Sequence, residues 1–185
     1  QFAPIEPASK RETYPASAAQ KRLFFIQELD PGGTAYNIPF AFSVRGELDT
    51  DRLARAFDAL LAKYEILRTD FHVVAHTVVQ RIRDRLDFQL EVVEESQDGW
   101  GAQALVRRFV RPFALGQAPL IRARVVRTGP AAAVLLIDLH HILLDGTSAE
   151  VLWRDLADAY NGEPLGAAAF QYKDFSEWLG SPPVR

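Results

Sequence analysis

Seven consecutive residues, His140-His141-Ile142-Leu143-Leu144-Asp145-Gly146, carry the densest chemistry in this chain. They close a nearly continuous apolar run, residues 132–139, which reads as a strand buried on both faces. A strand that stops at ionisable groups presents them at the edge of the core, and an imidazole there can take or give a proton near neutral pH. Successive strand side chains point to opposite faces, so only one of the two histidines can look into a given cleft. The other must be satisfied inside the protein. Asp138, two residues before His140 and on its face, is the expected partner. Asp145 falls in the turn before a helix, near the positive end of that helix's dipole. Gly146 removes a side chain where the backbone turns sharply or a ligand passes close by.

Three blander or rival readings of the same residues stand beside the acid–base one. Buried histidines are commonly hydrogen-bonded core residues with no catalytic part. Metal binding would need His72 and His76 to converge, but residues 71–76 read as a strand, where that spacing does not bring two rings together as it would on a helix. A Ser-His-Asp triad would be announced by a Gly-x-Ser-x-Gly elbow, and the chain has none. Ser148 lies too near the histidines in sequence to be placed by such a template.

Composition narrows the field. The chain has 185 residues, 48% of them hydrophobic and 24% charged, a globular profile of single-domain size. A net charge of −3 argues against a nucleic-acid binder, which needs clustered Lys and Arg. No apolar run is long enough to span a bilayer. There is no cysteine, which excludes disulfides, thiolate catalysis and Cys-ligated zinc. There is also no methionine, so the chain is expected to be processed or cut from a longer one. The first residues do not read as a signal peptide, and the default expectation is cytoplasmic.

Several elements must position the histidine segment. Ser17-Ala18-Ala19-Gln20 is a capping box and predicts a helix to about Leu29, where Pro31-Gly32-Gly33 breaks it. Residues 38–44 suit a strand. Between 51 and 64, Leu53, Ala56, Phe57, Leu60, Leu61 and Tyr64 recur at helical spacing. Short β-type segments follow at 71–74, 78–82 and 88–93, then a helix over 103–109 that Pro112 ends. Residues 121–127 alternate as a strand, and the Gly129-Pro130 turn joins them antiparallel to 132–139. A second capping box, Thr147 to Glu150, predicts a helix with Val151, Leu152, Leu156, Ala159 and Tyr160 buried, stopped at Asn161-Gly162. A short amphipathic helix is expected over 172–179. The interleaving implies an α/β or α+β class.

Three motifs in this order resemble the condensation domains of nonribosomal peptide synthetases. The first, Ser-x-Ala-Gln-x-Arg-Leu-aromatic, stands as Ser17-Ala18-Ala19-Gln20-Lys21-Arg22-Leu23-Phe24. The second, Arg-His-Glu-x-Leu-Arg-Thr-x-Phe, stands as Lys63-Tyr64-Glu65-Ile66-Leu67-Arg68-Thr69-Asp70-Phe71. The third, His-His-x-x-x-Asp-Gly, is intact at 140–146. Lys63-Tyr64 departs from the family's Arg-His, keeping charge but not the bidentate fork. Leu144 stands where many members joining L-amino acids carry serine.

The resemblance implies a lobe of chloramphenicol acetyltransferase-like fold, an α+β sandwich with a mixed or antiparallel sheet flanked by helices. It implies two such lobes in a V, with a channel between them. Donor and acceptor thioesters would enter from opposite faces on the phosphopantetheine arms of carrier proteins. His141 would sit mid-channel as the catalytic residue. His140 would be structural, Asp145 would pair with Arg68 (Lys63 second), and Gly146 would keep the wall clear. No cofactor or metal would be bound directly. Partners would be the upstream and downstream peptidyl carrier proteins and a C-terminal lobe, with neither nucleic acid nor membrane. Residues 1–13 read as a linker from the upstream carrier, 14–180 as the N-terminal lobe, and 181–185 as the start of a crossover to a missing lobe; the lobe alone is expected to be inactive. An epimerisation domain shares the fold and the third motif, and a non-catalytic recruitment platform is the rival of a different class. A heterocyclisation domain would carry aspartates in place of the motif histidines.

Overall fold

The computed structural model describes residues 4–94, 101–144 and 146–181, with the side chains of residues 146 and 147 outside that description. In chain order the elements are β1 (Tyr14–Pro15), α1 (Ala18–Leu29), β2 (Asn37–Arg45), α2 (Thr50–Lys63), a 3-10 turn (Glu65–Arg68), β3 (Thr69–Val74), β4 (Thr77–Ile82), β5 (Leu90–Glu94), α3 (Ala102–Phe109), β6 (Ile121–Gly129), β7 (Ala132–His140), α4 (Gly146–Asn161) and α5 (Tyr172–Gly180).

The strands form two sheets. The larger runs β2-β7-β6-β5, antiparallel except for the β5–β6 pair, and the smaller runs β1-β4-β3. The mixed sheet with flanking helices is the α/β architecture expected of the sequence. β7 lies between β2 and β6 and every residue from Leu135 to His140 is buried. Its two faces are both covered, which is why an unbroken apolar run is required there. Leu135, Ile137 and Leu139 join the main core with Leu53, Phe57 and Leu60 of α2 and Leu152 and Leu156 of α4. Leu136, on the opposite face, packs with Leu105 and Phe109 of α3 and Val126 of β6.

Three expectations change in detail. α4 begins at Gly146, so Thr147 lies inside the helix and not at its cap. Val151, placed in the buried stripe of that helix, is instead 37% exposed. Residues 4–13, read above as part of a linker, form no helix or strand and are tied down: the Ala8 backbone N–H donates to Asp174 Oδ1 (2.8 Å) and Arg11 pairs with Glu177 (2.8 Å).

α5 is built the reverse way round from an ordinary surface helix. It turns Asp174 and Ser176 inward and leaves Phe175 and Leu179 exposed. The inward groups are satisfied: Asp174 Oδ2 accepts from the Gln171 N–H (2.7 Å), and Ser176 Oγ from Gln80 Nε2 (3.2 Å). Buried polar groups with full partners lock a helix's rotation more tightly than apolar contact alone.

Candidate active site

Backbone carbonyls from two other segments of the chain hold the end of β7 on both sides. The His140 N–H donates to Leu120 O (3.0 Å), and the His141 N–H to Tyr36 O (2.8 Å). The Leu143 N–H then returns to His140 O (3.0 Å) and closes a turn. Adjacent imidazoles are thereby fixed in opposite directions, as strand alternation demands.

His140 goes inward and is fully buried. Its Nδ1 accepts from the Ile142 N–H (3.1 Å), so the ring proton sits on Nε2, which donates to Gln27 Oε1 (3.2 Å). Gln27 in turn donates its amide protons to Asp30 O and Gly33 O, both at 3.2 Å. Burial, with the neighbouring His141 adding to it, pushes the His140 imidazole down to about 4. The network also leaves no lone pair for a second proton. His140 is therefore a neutral, doubly bonded structural ring. Its partner is Gln27, not Asp138. Asp138 Oδ2 instead accepts from Asn37 Nδ2 (2.7 Å) and faces Arg122 at 3.8 Å. Burial holds the Asp138 carboxyl up at about 6 and Arg122 down at about 10. Gln27 completes an i, i+3, i+4, i+7 stripe on α1 with Gln20, Leu23 and Phe24, all buried. A glutamine inside an apolar stripe is the signal that could have found it.

His141 goes outward. Its ring is exposed and lines a cleft of about 250 Å³ with Gln20, Arg22, Tyr36, Leu144, Ser148 and Tyr172. Its Nδ1 lies 2.9 Å from Leu144 O. A carbonyl only accepts, so Nδ1 carries a proton, and in the neutral ring the lone pair is the one on Nε2. That tautomer is the one a proton acceptor needs. The residues of the first motif thus reach the site: Gln20 and Arg22 come from α1, whose capping box is complete, with Ser17 Oγ accepting from the Gln20 N–H (3.2 Å) and Gln20 Oε1 from the Ser17 N–H (3.0 Å). Ser17 Oγ also shares a hydrogen bond with Tyr172 OH (3.0 Å), which places the Tyr172 ring in the cleft wall. Sequence reasoning does not single out Tyr36 or Tyr172, since neither lies in a motif.

Asp145 lies outside the described residues, and Gly146 opens α4. Arg68, its expected partner, donates from Nε to Leu61 O (2.9 Å) and from Nη1 to Arg83 O. It lines a separate cavity with Asp58, Asp84 and Asp87. Lys63, the second choice, bonds Asp155 Oδ2, as does Tyr64 OH (2.6 Å). The unusual Lys-Tyr pair of the second motif thus shares one carboxylate on α4. That hydrogen bond raises the Lys63 ammonium; at Asp155, burial works upward but the bonds from Lys63 and Tyr64 outweigh it and hold the carboxyl below its ordinary range. Of the other histidines, His72 is bonded to the buried Asp70, which also takes Arg81 and Arg83.

Comparison with known proteins gives the same answer from three directions. The family model described as Condensation domain matches residues 10–182. Bacitracin synthase 3 of Bacillus licheniformis is 41% identical over 177 residues, which are 96% of this chain and 3% of that protein. Tyrocidine synthase 3 of Brevibacillus parabrevis is 40% identical over 177 residues, 96% of this chain and 3% of that one. The X-domain from teicoplanin biosynthesis, in its complex with OxyB, superposes with a TM-score of 0.86 at 28% identity, over 97% of this chain and 40% of that chain. The starter condensation domain of rhizomide synthetase gives 0.80 at 23% identity, over 92% and 43%, a likeness of fold. The chain therefore spans well under half the length of each of these proteins.

Proposed function

Because this chain belongs to the condensation-domain family, we propose that it is the N-terminal lobe of a domain forming amide bonds between two carrier-bound thioesters, with His141 as its catalytic residue. One observation carries the reading. The second motif histidine is the outward one, in a cleft, with Nδ1 toward Leu144 O and no partner for Nε2 among the described residues.

In this reading the acceptor's α-amine attacks the donor's thioester carbonyl. A C–N bond forms, the C–S bond breaks, and the donor's pantetheine sulfur leaves as thiolate. His141 Nε2 accepts the proton that the attacking nitrogen loses, and the imidazolium returns it to the departing sulfur. A free α-amine titrates near 7.7–8.0, so roughly a tenth to a sixth of it is already the nucleophilic free base at about pH 7. The histidine therefore has more to do in orienting the amine than in activating it. His140 cannot substitute, since both of its nitrogens are committed. Asp145 and Gly146 of the third motif, and Arg68 of the second, are read as structural supports of the histidine segment. The pantetheine arms bring both substrates; the lobe holds no cofactor of its own.

Replacing His141 with Ala in the full-length synthetase tests the assignment. Single-turnover formation of the amide product should fall by about 10²–10⁴-fold, the usual contribution of a positioned acid–base group. Wild-type turnover would overturn it. The likeness to an X-domain recorded in complex with OxyB favours a second reading, a recruitment platform. A platform would bind its partner unchanged in the His141→Ala variant and show no condensation with either protein.

A further inference from the structure

A second cavity, of about 340 Å³, opens beside the His141 cleft and shares Leu143, Leu144, Ser148 and Tyr172 with it. Its outer walls include Val151 of α4, Phe170, and Phe175 of α5. These three side chains remain 37%, 50% and 37% exposed. Apolar surface left in water is unfavourable, and a contiguous patch of it marks a binding site more often than an accident of packing. Here the exposure is imposed. The buried bonds of Asp174 and Ser176 fix the rotation of α5, and that rotation turns Phe175 outward into the cavity wall.

We propose that this cavity is the subsite for the side chain of the acceptor aminoacyl thioester, and that it selects a bulky apolar one. The inference rests on the role given to His141 above. In that role Nε2 contacts the attacking nitrogen. The acceptor's side chain branches from the carbon bonded directly to that nitrogen, so it must enter a space that adjoins the histidine's cleft. The donor's side chain branches one bond further off, beyond the thioester carbonyl. The cavity is at the small end of the ~300–1,000 Å³ range of ligand pockets, which suits one side chain and not a whole cofactor. Leu143 and Leu144 give the boundary of the two spaces apolar surface, beside Ser148 and the Tyr172 ring.

The full-length synthetase tests this with a fixed donor and a series of acceptors loaded on its carrier: glycine, alanine, leucine, phenylalanine and aspartate. The measured quantity is the ratio of kcat/KM for leucine to that for glycine. The ratio should exceed one by at least about tenfold, the discrimination an apolar pocket gives for a few methylenes. It should collapse toward one in Val151→Asp, and in Phe175→Ser, where a second exposed position guards against a folding defect at the first. A ratio unchanged by both substitutions overturns the subsite, even if His141→Ala has lost turnover as expected. A His141→Ala variant with full turnover overturns the reading of the histidine and the subsite with it. Selectivity that follows the donor series and not the acceptor series also overturns the assignment.

Discussion

At the level of single residues, His140 and Asp138 share one buried face of β7 and oppose each other in pH dependence. Burial lowers the folded His140 from 6.5 to about 4, so the unfolded chain binds more protons than the folded one in that window. Its contribution to stability is complete above pH 6.5 and is lost as pH falls toward 4. Burial raises the folded Asp138 from 3.8 to about 6, so here the folded chain binds more protons. Its contribution is complete below 3.8 and is lost as pH rises toward 6. Between about pH 4 and 6 the two slopes cancel in large part. Asp138→Asn should unmask the histidine, and urea unfolding of the variant should show stability climbing with pH across that interval more steeply than in the parent. Parallel profiles would mean that one of the two groups does not titrate as its surroundings dictate. Gln27→Leu makes a complementary prediction. It strands the Nε2–H of His140 and two loop carbonyls without partners. Each orphaned buried group costs about 1–3 kcal/mol, and the carbonyls at the loop can recover water, so a loss of about 2–3 kcal/mol in denaturant unfolding is expected.

At the level of elements, the site is a junction of four: the end of β7 and the starts of α4, α1 and α5. Ser17 joins the last two, capping α1 through the Gln20 N–H while bonding Tyr172 OH. Ser17→Ala should lower stability by about 1–2 kcal/mol, and Tyr172→Phe by about 0.5–1.5 kcal/mol. In a double-mutant cycle the two should couple, because each removes one end of the same bond; strict additivity would show that the bond contributes nothing. The sequence announces α1, α2, β2, β6 and β7 through capping residues, apolar periodicity and turn dipeptides, since those signals are local. It announces the directions of His140 and His141 through strand alternation. It does not announce their partners. Gln27 stands 113 positions from His140, and Tyr172 155 from Ser17. Pairings of that range are decided by tertiary packing and leave no trace in spacing. The burial of α5 escapes the sequence for the same reason: an amphipathic pattern fixes that a helix has two faces, and distant partners such as Gln80 and Ala8 decide which one turns in.

At the level of the whole molecule, the histidine lies in a cleft open to solvent, which the reading proposed above completes with a second lobe. Its ring is exposed, and the adjoining cavity leaves Val151, Phe170 and Phe175 open to water. The solved relatives are more than twice as long, this chain matching 40% and 43% of two of them. Amide formation between tethered substrates gains most from holding amine and thioester in line. Effective molarities of about 10⁵–10⁸ M are reached only when both reactants are confined. One wall can bind an arm without confining it, and water left in the site weakens every hydrogen bond offered to the developing charges. The purified 185-residue chain, mixed with loaded donor and acceptor carriers, should therefore give amide at no more than the rate of the carriers alone. Adding the remainder of the synthetase's domain as a separate chain should raise that rate, and the increase should vanish with His141→Ala. Efficient condensation by the lobe by itself would show that orientation by His141 and its cleft suffices, and that the second wall is not needed for the chemistry.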